Sequence, residues 1–111
     1  MSRDASLYID DMIEACRRVQ YTEGRDRAQL VSGTMAHDAV LRNLEVLGEA
    51  TKNVPTAIRQ LDDTISWRRI SGLRDVLAHA YFGIDDDIVW SVVAEEVPPL
   101  LPRLTLLRAR L

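Results

Sequence analysis

Arg74, Asp75, His79 and Tyr81 fall within eight positions of one another, in the stretch SGLRDVLAHAYFGI at residues 71–84. Asp75 and His79 are four apart, so on a helix they share a face and can hydrogen-bond, which fixes the imidazole tautomer. Arg74 and His79 are five apart, about 140° around a helix of 3.6 residues per turn. They converge if the helix ends before His79, or if two subunits pool residues across a shared cleft. Arginine with histidine, and no metal ligands beside them, suits metal-independent RNA cleavage. Histidine can move protons to or from a ribose 2′-hydroxyl and a leaving oxygen, and arginine can neutralise charge developing on the phosphorus oxygens. The residue types alone leave a plainer reading open, in which His79 is a cation near a helix C-terminus and Arg74 a surface ion-pair partner.

The rest of the chain must position these groups. With 111 residues, 47% hydrophobic and 28% charged, and a formal net charge of −3, it supports one domain over 1–111 and is too apolar for disorder. One cysteine, Cys16, excludes an internal disulfide and leaves no thiolate cluster for zinc. No apolar run approaches the roughly 18 residues that span a bilayer. The N-terminus carries charges within its first eleven residues and has no apolar h-region, so it does not read as a secretory signal, and a cytoplasmic location is expected. Thirteen of the fourteen basic residues are arginine, with Lys52 the exception, and arginine suits bidentate phosphate contacts. Net acidity argues against a broad basic surface, so a site for a polyanion must be local.

Apolar residues recur at helical spacing and alternating strands are absent. Residues 4–21 place Ile9, Met12, Ile13, Cys16 and Val19 on one face, with Asp4 as N-cap and Gly24 ending the segment. A second helix is expected over about 34–53, capped by Thr34, with Val40, Leu44, Leu47 and Val54 inward and an earlier turn in 26–33. Gly48 inside it costs about 1 kcal/mol against alanine, which points to close packing. Pro55 opens a short segment over 55–61, broken by Asp62-Asp63-Thr64. Ser66 caps a fourth helix over 67–80, holding Trp67, Ile70, Leu73, Val76 and Leu77, and Gly83 punctuates its end. Asp85 caps a last helix from 86, where Asp86 and Asp87 meet the positive end of the helix dipole. Pro98, Pro99 and Pro102 predict a kink near 97 before the helix resumes to about 110. The expected fold is all-α, an up-and-down bundle of four long helices plus a short one.

Arg74-Asp75-Val76-Leu77-Ala78-His79-Ala80-Tyr81 resembles the R-x-x-x-x-H-x-Y signature of HEPN ribonucleases, specifically the HepT-like toxins of HepT/MntA toxin–antitoxin pairs. The polar residue after the arginine belongs to that pattern, and Asp75 occupies it. From the chain's own composition the arginine–histidine–tyrosine match is expected by chance roughly 0.006 times. Tyr8 to Met12, Asp38-Ala39-Val40, Leu44 to Ala50, Ile65-Ser66-Trp67 and Val89-Trp90 resemble the family's recurrent blocks, so essentially the whole chain is covered. The resemblance implies a homodimer in which the motifs meet at the subunit interface to form a composite RNA cleft. Arg74 and His79 would be the catalytic pair and Asp75 a supporting polar residue. The implied cleavage uses no metal and no cofactor and leaves a 2′,3′-cyclic phosphate. The implied partner is an MntA-like minimal nucleotidyltransferase antitoxin that transfers AMP to Tyr81, placing bulk and phosphate charge beside the cleft. A second class of function remains open, a non-catalytic helical module that binds a nucleotidyltransferase.

Other residues carry weaker signals. Arg42, Asn43, Glu45 and Glu49 are spaced on the second helix to face the same cleft, although charged helix residues usually form solvated or interhelical ion pairs. His37, Cys16 and His79 lack paired-ligand spacing for a metal. Trp67 and Trp90 read as core, and Tyr8 as core or cleft. Arg17-Arg18 and the Arg103/Arg108/Arg110 cluster read as solvated helix faces.

Overall fold

The computed structural model describes residues 3–20, 34–73, 75–77 and 86–111. Among the described residues every regular element is a helix and no strand occurs, as the spacing predicts. Six helices are numbered here in chain order. α1 is Ser6–Gln20, α2 Met35–Lys52, α3 Thr56–Arg59, α4 Trp67–Ser71, α5 Asp86–Ser91 and α6 Val97–Ala109. A π-helical segment, Val92–Glu96, joins the last two.

Local chemistry sets the helix ends. The Asp4 carboxylate accepts from the Ser6 backbone N–H and hydroxyl, both at 2.9 Å, satisfying a donor that the first turn of α1 leaves unpaired. The Thr34 hydroxyl oxygen accepts from the His37 N–H at 3.1 Å, the three-residue reach of an N-cap. Asn53 closes α2 with its backbone N–H on the Ala50 and Thr51 carbonyls and its side-chain amide on Glu49 O at 3.0 Å. Pro55 sits one position before α3, at its N-cap. Asp62 then folds the chain back, accepting from the Thr64 N–H at 3.0 Å.

α2 is the central element. It packs on α1 and on α4, while α1 also packs on α6. The expected faces are the buried ones: Ile9, Met12, Ile13, Cys16 and Val19 from α1, and Val40, Leu44 and Leu47 from α2, with Val54 beyond its end. Leu100, Leu104 and Leu107 of α6 complete the core. Burying each large aliphatic side chain contributes about 1.5–3 kcal/mol. Thr51, fully buried on α2, donates its hydroxyl to Leu47 O at 2.7 Å, so this polar group costs little.

One helix departs from the sequence reading, and one break falls where that reading puts it. The helix expected over 67–80 tightens at Gly72, whose N–H is shared between the Arg68 and Arg69 carbonyls, before residues 73 and 75–77 are helical again. The break expected near 97 is a π-helical turn over Val92–Glu96, and the helix resumes over Val97–Ala109 with Pro102 inside it. The Val97 N–H reaches back five residues to Val92 O, a π-type bond. That wider turn lets Pro98 and Pro99 enter in the first turn of α6, where no intrahelical partner requires their missing N–H. The expected features at 24, 26–33, 83 and 85 lie outside the described residues.

Candidate active site

The motif segment begins where α2 and α4 touch. The Trp67 indole N–H donates to Asp62 O at 2.9 Å and fixes the entry to α4. Leu73 and Leu77, four apart and both buried, anchor the following stretch to the core. Asp75, between these anchors, is exposed, and its backbone N–H bonds Gly72 O at 3.1 Å. Arg74, His79 and Tyr81 lie outside the described residues, as does the expected Asp75–His79 contact.

Beside this stretch is a cavity of about 280 Å³, with Leu47, Ile70 and Leu73 on one side and Val92, Val97 and Leu100 on the other. Its rim is already paired. Arg69 Nε lies 2.7 Å from Glu96 Oε1, Arg103 donates to the Thr64 hydroxyl, and the Ser91 hydroxyl donates to Glu95 at 3.2 Å. A second, shallower groove of about 310 Å³ runs between α1 and α2 and is lined by Arg3, Tyr8, Asp11, Arg42, Glu45 and Glu49 among others. Two arginines face three carboxylates there, so the groove has no surplus of positive charge for phosphate. Arg42 lies 3.7 Å from Glu45, and Glu49 lies 3.4 Å from Lys52. The Asn43 amide turns back to Ala39 O at 2.8 Å. These are the ion pairs and local bonds expected of solvated helix residues. Arg3 pairs with Asp11 at 2.5 Å and lies 5.0 Å over the Tyr8 ring, which is partly buried.

The remaining candidates resolve into structural parts. His37 and Cys16 are buried, and among the described residues no three His, Cys, Asp or Glu side chains converge as a metal set. Trp67 is buried and Trp90 packs against the core. Arg103 and Arg110 are exposed, as the reading as a solvated face has it, and Arg108 is half-buried; each also bonds a distant group. Arg108 pairs with Asp10 of α1 at 2.7 Å, and Arg110 donates to Leu61 O at 2.7 Å. With Arg103 on Thr64, all three tie α6 to distant parts of the chain. Arg18 does follow the surface reading, pairing with Glu14 at 3.1 Å one turn back.

Sequence reasoning missed Arg59. Its guanidinium donates to Thr51 O at 2.7 Å and Val54 O at 3.0 Å, and it lies 5.9 Å over the Trp67 ring. It thereby joins the C-terminus of α2 to the start of α4. The available signal was a lone arginine just past a helix whose last carbonyls attract cations.

The whole arrangement has recognisable relatives. Residues 12–106 match the family model described as "Ribonuclease HepT-like". The chain is 35% identical over 109 residues to "Probable ribonuclease HepT" of Thermococcus cleftensis, covering 97% of this chain and 99% of that protein. It is 33% identical over 99 residues to a "Putative RNase" of Methanocaldococcus jannaschii, covering 88% and 91%. A third relative, from the same archaeon, is named "Gamma-glutamylcyclotransferase and putative RNase"; it is 32% identical over 101 residues, and the chain spans only 46% of its length. No solved structure gives a significant match. An all-helical core, a buried leucine pair flanking the motif arginine and a family match across 12–106 lead to one assignment: this chain belongs to the HepT-like ribonuclease family.

Proposed function

We propose that the protein is a metal-independent RNA endonuclease, the toxin of a HepT/MntA-type toxin–antitoxin pair. The observation that carries this reading is the Arg74-x4-His79-x-Tyr81 motif, which follows the buried Leu73 in a chain of the HepT-like ribonuclease family. In the reaction, the ribose 2′-oxygen attacks phosphorus while the bond to the 5′-oxygen breaks, leaving a 2′,3′-cyclic phosphate and a free 5′-hydroxyl. His79 moves the proton to or from these oxygens. Arg74 neutralises the charge gathering on the phosphoryl oxygens, and Asp75 supports the pair as an exposed polar neighbour.

The working unit is a homodimer whose clefts draw Arg74 and His79 from facing motifs, since five residues along a straight helix place the two on different faces. The domain comprises residues 1–111 and acts in the cytoplasm. A partner nucleotidyltransferase silences it by joining AMP to the Tyr81 hydroxyl with release of pyrophosphate from ATP. The added phosphate then repels RNA from the cleft. Among the described residues no helix is long and apolar enough to cross a membrane.

The test is cleavage of several RNAs in EDTA by wild type and His79→Ala, after mass spectrometry shows Tyr81 unmodified. The expected result is cleavage by wild type alone, with cyclic phosphate ends. Equal cleavage by both proteins would remove His79 from the site. Silence from both would favour the non-catalytic binding module.

A further inference from the structure

A glycine stands inside α2 at the point where that helix meets the segment leading into Arg74. A Cβ added at Gly48 would lie 3.3 Å from the Ile70 carbonyl oxygen and 3.7 Å from Leu73 Cβ. The nearer contact is backbone, so the 70–73 chain itself, and not the tip of a side chain, would have to give by a few tenths of an ångström. That chain has little freedom to pivot. It is held upstream by the Trp67 indole on Asp62 O and downstream by the buried Leu73 and Leu77. Leu47, the neighbour of Gly48, is buried and shares a cavity wall with Ile70 and Leu73. Leu73 is bonded directly to Arg74, so residues 70–73 are the stretch from which the chain enters the motif.

We propose that Gly48 is a positioning residue for RNA cleavage. Its missing side chain sets how closely residues 70–73 seat against α2, and so where Arg74 is held relative to the scissile phosphate. This rests on the reading of Arg74 as a catalytic residue. A misplacement of about 1 Å can cost on the order of 100-fold in rate, so a shift of a few tenths of an ångström is expected to cost about 3- to 6-fold.

The experiment compares wild type, Gly48→Ala, Arg74→Lys and the double variant, using a labelled RNA oligonucleotide that wild type cleaves. Circular dichroism and thermal midpoints accompany the kinetics. Gly48→Ala is expected to remain helical and lose about 3- to 6-fold in kcat with KM within about twofold. In the Arg74→Lys background the same change should cost less than about twofold, because the geometry it disturbs no longer matters. If Gly48→Ala does not fold, Leu47→Met repacks the same seam between α2 and residues 70–73 at nearly constant volume and carries the same comparison. Wild-type turnover in Gly48→Ala, or an equal loss in both backgrounds, overturns the positioning role while leaving Arg74 in place. Arg74→Lys cleaving at the wild-type rate overturns the catalytic reading itself, and this proposal with it.

Discussion

At the scale of single residues, burial and capping bonds give individual groups unusual chemistry. Cys16 has no exposed surface, and burial pushes its thiol up to about 12. The reactive species is the thiolate, so an aromatic disulfide reagent at pH 8 should leave the folded protein unlabelled and label it fully in denaturant. Rapid labelling of the native protein would contradict the packing of α1. Asp4 and Asp62 are both held below the ordinary 3.8. The cause for Asp4 is the Ser6 backbone N–H and then its hydroxyl; for Asp62 it is chiefly the Thr64 hydroxyl. Depressed carboxylates bind fewer protons folded than unfolded, so their contribution is complete above 3.8 and is lost as pH falls through their lower folded values. Urea melts between pH 5 and pH 2.5 should therefore show a smaller acid loss for Asp62→Asn than for wild type. An unchanged slope would sink that assignment.

At the scale of elements, α1 and α2 each combine a side-chain bond at the N-terminus with a buried face. Thr34→Ala removes the oxygen that accepts the His37 N–H, and should lower stability by about 1 kcal/mol without changing helical content. Leu104, fully buried on α6, is a harsher site. Leu104→Ala should cost about 2–5 kcal/mol, measured by denaturant unfolding; a cost near zero would mean that α6 is not seated as described. These ends and faces were legible beforehand, because a cap bond spans two or three residues and a helix face repeats every three or four. The path through Gly72 and the π turn at Val92–Glu96 were not legible. Glycine and proline mark that a helix is disturbed, but the docked neighbours decide whether it bends, tightens or widens.

At the scale of the whole molecule, long-range clips and the proposed dimer become testable. Arg108 and Asp10 are 98 residues apart and pair at 2.7 Å, binding the last helix to the first. Arg108→Met should speed amide exchange at the C-terminal end of α6 more than in α2. Uniform change across the chain would argue for a global effect instead. If Arg74 and His79 act across the subunit interface, a mixed dimer of Arg74→Ala and His79→Ala protomers retains one complete pair. Co-refolding the two inactive variants should then restore part of the cleavage. No recovery, with mixed dimers confirmed by mass, would place the pair within one subunit.

The amino-acid sequence by itself determined the helical class, most inward faces, two N-caps, the close packing demanded at Gly48 and the motif that carries the proposed chemistry. All of these rest on residue type and short spacing, which the backbone reads locally. Only the tertiary structure decided what Gly48 packs against, which carbonyls Arg59 closes, and that Arg103, Arg108 and Arg110 are ties to Thr64, Asp10 and Leu61. The physical reason is separation along the chain. Periodicity says which face of a helix turns inward, but which partner meets that face depends on how the helices dock, and docking is settled by packing that no local spacing records.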